Sequence, residues 1–233
     1  MRVFRLSHTI LVAAVLAVVF SQTSANGVSV ERYASNPSRT TETIGTATIA
    51  TTRYRLDASQ SKFIAHALRG GLLWFKGHDH LIAARDFSGE AEITTDTINP
   101  ASLLLVVKAD SMTETNSVFT DQQKQIINKE LREIVLLPAQ YPDITFRSAE
   151  ADGKAIGNNE YDLKIRGDLT LHGVTHPIVI PTRVTLSGND MRARGEFSIN
   201  RSDFQVKATS AFHGMVRVRN KIKFSFDVVG HRI

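Results

Sequence analysis

Two histidines and an aspartate stand in four consecutive residues of the stretch FKGHDHL, as Gly77, His78, Asp79 and His80. On an extended backbone His78 and His80 share one face and Asp79 takes the other. Two imidazoles on one face make half of a Zn²⁺ or Cu²⁺ site, and the third ligand would have to come from His66, His172, His213 or Asp86. The competing readings are a solvated polar turn, or histidines bonded to loop backbone. A proton-transfer role lacks an adjacent nucleophile or paired acid.

Two further polar clusters invite chemistry. In LTLHGVTHP, His172 and His176 are four apart, a zinc spacing on a helix. Gly173 between them can take positive φ, which instead predicts a tight hairpin with His172 as a hydrogen-bonding residue at a rim. In INRSDFQV, Ser202 and Asp203 suit turn hydrogen bonds, and Arg201 is placed to meet a carboxylate, a ligand phosphate or a quinone oxygen. The sequence holds no Gly-rich phosphate loop and no G-x-S-x-G element.

The elements that must position these residues have a period of two. KIKFSFDVV puts Ile222, Phe224, Phe226 and Val228 on one face and Lys221, Lys223, Ser225 and Asp227 on the other. MRARGEFSI repeats this with Met191, Ala193, Gly195, Phe197 and Ile199, and DLKIRGDLTL with Leu163, Ile165, Gly167, Leu169 and Leu171. DFSGEAEI offers Phe87, Gly89, Ala91 and Ile93, and KFIAHAL offers Phe63, Ala65 and Ala67. Such alternation predicts an antiparallel sheet with one apolar face. Short turns are expected at SGND (187–190) and at Arg219-Asn220. One segment, VFTDQQKQIINKELREIVLL, instead spaces Ile126, Ile127, Leu131, Ile134 and Val135 as an amphipathic helix, capped by Thr120 or Asp121 and stopped by Pro138.

Residues 1–25 carry a basic start (Arg2, Arg5), an apolar run over 10–20 and small residues at 23–25, the pattern of a cleaved secretory signal peptide. An uncleaved membrane anchor is the alternative. Removal would leave 208 residues and lower the formal net charge from +5 to +3. Residues 26–52, rich in Ser, Thr and Ala, are expected to be a linker, part of which can pair as an edge strand; residues 53–233 form one folded domain. The chain has no cysteine, so neither a disulfide framework nor a lipoprotein attachment is available. That places the expected location in a periplasm or outside the cell. Basic residues are scattered rather than clustered, which argues against nucleic-acid binding, while the high pI of 9.6 permits transient contact with an anionic membrane surface.

About eight strands joined mostly by short turns favour closure into an all-β barrel, since closure removes exposed edges. A transmembrane barrel would carry its apolar residues outward between aromatic girdles, whereas aromatics are 7% of this chain with one tryptophan. The apolar face therefore points inward. Small residues in that face (Ala65, Ala67, Gly89, Ala91, Gly167, Ala193, Gly195) would leave volume that the phenylalanines need not fill. A lipid tail threaded there would gain about 0.8 kcal/mol per buried methylene. A well-packed barrel with glycine at strand bends is the rival expectation.

YRLDASQSKF (54–63), DFSGEAEI (86–93), YPDITFRS (141–148), GDLTLHGVTHPIVIP (167–181) and INRSDFQV (199–206) resemble, in order and spacing, the YceI-like family of exported, lipocalin-like proteins that bind polyisoprenoids. The resemblance implies an extended antiparallel barrel, one helix at its side or mouth, and an apolar channel for an isoprenoid chain or isoprenoid quinone. It supplies no catalytic residues and no cofactor beyond that lipid. The departures are His66 on the polar parity of the first strand, the Gly-His-x-His turn, and the absence of an Arg-Asp pair opening the helix.

The expected ligand contacts are Phe63, Ala65, Ala67, Trp74, Phe87, Leu163, Ile165, Leu169, Phe197, Phe224 and Phe226, with His78, His80 and Arg201 toward a polar end. Leu72, Leu73, Trp74 and Phe75 are expected to cover the barrel opening. The rivals are a metal-binding protein or metal-dependent enzyme using His78 and His80, and a structural envelope-stress protein with a filled barrel.

Overall fold

The computed structural model describes residues 51–94, 101–211, 213 and 215–233. The expected signal peptide and most of the expected linker lie outside the described residues. The strands are β1 (Thr51–Gly70), β2 (His80–Ala84), β3 (Phe87–Thr94), β4 (Ala101–Lys108) and β5 (Met112–Glu114), followed after the helix by β6 (Asp143–Gly157), β7 (Glu160–Leu171), β8 (Val174–Ser187), β9 (Asp190–Asn200), β10 (Ser210–Ala211) and β11 (Val216–Arg232). β1 begins at Thr51, so two residues of the expected linker pair with β3 through Thr94 and Ile93.

Antiparallel pairing runs β1-β3-β4-β6-β7-β8-β9-β11 and returns to β1, closing an eight-stranded barrel. The seam joins the ends of the folded unit, from Tyr54 opposite Arg232 to Gly70 opposite Arg217. The short β2 pairs with the second half of β1, and β5 with β2, extending the sheet beyond the ring. β2 and β5 were not read from the sequence. HLIAA has a continuous apolar run over Leu81–Ala84 rather than an alternation, and β5 is three residues long.

Inward parity follows the alternation. Phe63 sits opposite Phe226 and Ala65 opposite Phe224 on β11, which in turn faces Phe197 on β9. The four rings form one aromatic belt: Phe197 and Phe224 stack at 4.8 Å, and Phe63 and Phe226 at 6.2 Å. At one end Tyr54, Ile93, Tyr161, Leu186 and Met191 pack into a buried plug. At the other, Phe204, Leu131, Leu136 and Met112 belong to the larger cluster.

Helix α1 (Asp121–Glu130) starts at Thr120, whose hydroxyl accepts the Gln123 N–H at 3.3 Å while the Gln123 side chain accepts the Thr120 N–H at 2.8 Å. The chain then widens into π-type turns over Leu131–Leu136 and ends at Leu137 with φ 49°, one residue before Pro138. A π-turn aligns residues five apart, so Leu131 and Leu136 are the buried pair. Ile134, expected on the apolar face, is exposed because a strict 3.6 period mis-assigns the face once the helix widens; Ile126, in the regular helix before the widening, is exposed as well.

The two-residue turn between β7 and β8 has both His172 and Gly173 at positive φ, 54° and 75°, the geometry that matches strand twist in a hairpin. The turn at Gly188 is also as expected. The turn expected at Arg219-Asn220 is absent: both residues continue β11, and the Asn220 side-chain oxygen accepts the Ser202 N–H at 3.0 Å.

The far end of the seam is tied by His231. Its Nδ1 lies 2.8 Å from Asp190 and its Nε2 3.3 Å from Asp57, linking β11 to β9 and β1. The hydrogen bonds to Asp190 and Asp57 raise its pKa above the ordinary 6.5. A raised histidine pKa stabilises the fold fully below about 6.5, and the contribution disappears as pH rises through the folded value. His231→Ala is expected to lower the melting temperature at pH 6 more than at pH 8.5. Equal losses at the two pH values would show that the imidazolium does not tie the seam.

Candidate functional site

The barrel is hollow. A cavity of about 260 Å³ runs from the plug past the aromatic belt to the end covered by α1. Phe63, Phe197, Phe224, Phe226, Ile165 and Ile222 are only partly buried although they point inward, so their open surface faces the lumen. The lining is almost wholly apolar, with polar groups at His80, Glu130, Arg201 and Lys207 around the helix-covered mouth, at the buried Thr182, and at Glu92 and Ser102 on the opposite rim, where Glu92 pairs with Arg53 at the surface. The filled-barrel expectation therefore fails.

The source of the space differs from the expectation. Alanines 65, 67, 91 and 193 border the cavity, but the inward glycines do not. A Cβ at Gly195 would stand 2.2 Å from the Pro181 carbonyl and 2.6 Å from the Phe226 ring; one at Gly167 would meet the Arg147 carbonyl at 2.3 Å and the Phe146 ring at 2.7 Å. Those glycines are occupied by the neighbouring strand and a crossing aromatic ring.

Of the expected ligand contacts, Phe63, Ala65, Ala67, Leu163, Ile165, Leu169, Phe197, Phe224, Phe226, His80 and Arg201 border the cavity. Three do not. Phe87, at the start of β3, is buried in the surrounding core and its ring is spent on packing. Trp74 sits in a single 3-10 turn, 49% exposed, with the Arg69 guanidinium 5.5 Å from its ring, because Gly70 and Gly71 carry the chain outward beyond the strand. His78 lies in the loop before β2, exposed, with its ring edge-on to Phe119.

The histidine cluster resolves into separate tasks. His80 opens β2, stacks on Phe119 at 5.2 Å and places Nδ1 2.7 Å from a Glu114 oxygen. An ionised carboxylate only accepts, so His80 donates from Nδ1. The Glu114 side chain has no solvent exposure, and it also accepts the N–H groups of Asn116 (2.7 Å) and Leu81 (3.2 Å). Burial pushes the Glu114 pKa up, but the bonds from His80, Asn116 and Leu81 outweigh it and hold the group below its ordinary value. The Glu114 N–H donates to the Asn128 side chain of α1 at 2.8 Å. The group therefore fixes β2, β5 and the covering helix to one another. Asp79 accepts the Arg69 N–H at 2.9 Å.

The proposed third metal ligands lie elsewhere: His66 bonds to Ser225 at 2.9 Å and His172 packs on Tyr141 at 4.3 Å. Among the described residues no three His, Cys, Asp or Glu side chains gather as a metal site. Glu114 was missed because nothing in DSMTE marks an acid for burial; the one available signal was its parity with inward-facing Met112.

At the mouth, Arg201 follows β9 in a short 3-10 turn. Its Nη1 donates to the Val206 carbonyl at 2.8 Å, while its Nε is buried without a partner. His172 Nε2 is likewise buried and unpartnered, and burial, with the Lys207 charge second, pushes that imidazole's pKa down.

This arrangement defines a class: an antiparallel lipocalin-like barrel, hollow and apolar within, its mouth covered by one helix. The chain belongs to the YceI-like family, whose domain model matches residues 54–230. A UPF0312 protein of Yersinia pestis is 32% identical over 140 residues, 59% of this chain and 64% of that protein, so the match spans under two thirds of that relative's length. A UPF0312 protein of Yersinia enterocolitica is 31% identical over 153 residues, 64% of this chain and 68% of its own length. BcnA of Burkholderia cenocepacia shares the fold at TM-score 0.58 and 20% identity, over 75% of this chain and 98% of BcnA. A polyisoprenoid binding domain from Saccharophagus degradans does so at TM-score 0.55 and 16% identity, over 77% and 98%.

Glu114→Ala would leave two backbone N–H groups and His80 without their acceptor, and it is expected to cost about 3 kcal/mol of stability at pH 7. Because the Glu114 pKa is lowered, the stabilisation is present above the unfolded value near 4.3 and is lost as pH falls below it. Chemical denaturation at pH 7 and pH 3 checks both: the gap between wild type and Glu114→Ala should narrow at pH 3.

Proposed function

We propose that this protein is an exported, non-enzymatic binding protein that encloses a polyisoprenoid or similar long apolar lipid, such as an isoprenoid quinone. The observation that carries the reading is the unfilled apolar lumen, whose phenylalanine belt keeps surface open to the interior. Burial of a chain there would be driven by transfer of methylenes from water and by dispersion contacts that the empty lumen lacks. The family membership and the polyisoprenoid binding domain of Saccharophagus degradans, a neighbour in fold, support the same ligand class.

The polar end of the ligand belongs at the helix-covered mouth. The Arg201 Nε there is a donor without an acceptor, which suits a hydroxyl, carbonyl or phosphate oxygen at the head of an otherwise apolar chain. His80 is held to Glu114 and serves to keep the mouth in place. Export to a periplasm or beyond rests on the pattern of residues 1–25.

Organic extraction and mass spectrometry of the purified protein are expected to yield a long-chain apolar lipid. Ala67→Phe with Ala193→Phe, which put two rings into the lumen, should reduce the bound lipid at least tenfold. Added ligand at about a hundred times its Kd should stabilise wild type by about 2.7 kcal/mol. Protein with no bound hydrophobe, whose melting temperature no isoprenoid raises, would sink the reading.

A further inference from the structure

The turn between β1 and β2 presents an apolar tip that no part of the described barrel covers. Leu72 is 78% exposed, Phe75 61% and Trp74 49%, and Met215 beside them 39%. The tip is built rather than frayed. The Leu73 N–H donates to the Met215 carbonyl at 2.9 Å, Lys76 and Gly77 close a 3-10 turn onto Leu73 and Trp74, and Arg69 donates to the Gly77 carbonyl at 3.0 Å. Trp74 and Phe75 stand edge to face at 6.4 Å.

The rim of this tip is cationic. Arg69, Lys76, Arg217 and Arg219 surround it, and Arg217 and Arg219 share a surface hollow with Trp74, Gly70 and Gly71. Asp79, 3.9 Å from the Arg69 guanidinium, is the one acid paired with Arg69, Arg217 or Arg219 among the described residues. Arg201 and Val218 border both this hollow and the barrel cavity, so the tip stands beside the lipid-sized mouth.

We propose that the Leu72–Phe75 tip is a docking surface for an anionic lipid bilayer, entering the headgroup region while the surrounding arginines meet the lipid phosphates. Leucine, tryptophan and phenylalanine set in a ring of arginine and lysine match the two phases of a membrane interface, apolar below and negatively charged above. A water-facing protein partner would meet the same apolar tip, but the arginine rim favours a surface carrying dense negative charge. Docking goes beyond enclosure of a lipid: it sets where the mouth faces.

Trp74 is the chain's one tryptophan, so its emission reports on the tip alone, whatever residues 1–50 do. The full-length protein is mixed with phosphatidylcholine vesicles containing 30 mol% phosphatidylglycerol, or none, the acyl chains being brominated in a parallel set. Expected are a blue shift and bromine quenching of Trp74 on the anionic vesicles, both weakened by salt. Arg217→Ala and Arg219→Ala should each lower partitioning about fivefold, and Leu72→Asp with Phe75→Asp should abolish quenching while leaving the melting temperature unchanged. Vesicle binding without Trp74 quenching would overturn the proposal, as would a blue shift that needs no vesicles and tracks dimerisation in sedimentation. Lipid recovered by extraction from the Leu72→Asp/Phe75→Asp variant would separate this failure from failure of the cavity reading.

Discussion

Pairing of β1 with β11 brings the first strand of the folded unit against the last, across most of its sequence. Closure satisfies the edge hydrogen bonds of both strands, and in the same act fixes which side chains look inward. A slip of one residue along the seam would turn one strand over relative to the other, sending Phe63 to solvent and Lys62 to the lumen if β1 inverts, or Phe224 and Phe226 to solvent and Lys223 and Asp227 to the lumen if β11 does. The aromatic belt thus specifies the register, and the register builds the belt. The cost is kinetic: contacts this distant in sequence form late and slowly.

A hollow barrel is less favourable than a packed one of the same strands. Each lumen-facing ring has neighbours on one side only, and dispersion contacts forfeited there are not recovered from water. The fold compensates locally. Crossing rings fill the notches at Gly167 and Gly195, the plug at Tyr54 and Tyr161 is fully packed, and Phe204 and Phe146 are almost inaccessible. The lumen is one continuous apolar space, and the wall around it is dense. Surface ion pairs such as Arg192 with Asp227 add specificity of register more than stability.

The barrel and most of its inward residues were legible because alternation is a direct consequence of the pleat: a parity assigned in Leu163–Leu171 or Met191–Ile199 needs no tertiary knowledge. What escaped depended on partners distant in sequence. His80 was expected at a ligand's polar end, with a metal site as the rival, because its acid, Glu114, lies 34 residues away and is unremarkable in sequence. The glycines looked like free volume because the rings that occupy them come from other strands. Trp74 was expected to reach the ligand because its apolar run, Leu72–Phe75, reads as a loop covering the barrel opening, whereas the paired glycines before it turn the chain out of the sheet. The π-type turns were invisible to a 3.6-residue period, so Ile134 was placed on the wrong face.

The helix over the mouth belongs to the ring of strands only at second hand. It is attached through Asn128 to Glu114, through Leu131 and Leu136 to the core, and by no rung of the ladder. Freeing it exposes a few apolar side chains and leaves every barrel strand paired, a sub-global opening with its own free energy. The stability of the container and the residence time of its contents are thus set by different bonds, and either can change without the other.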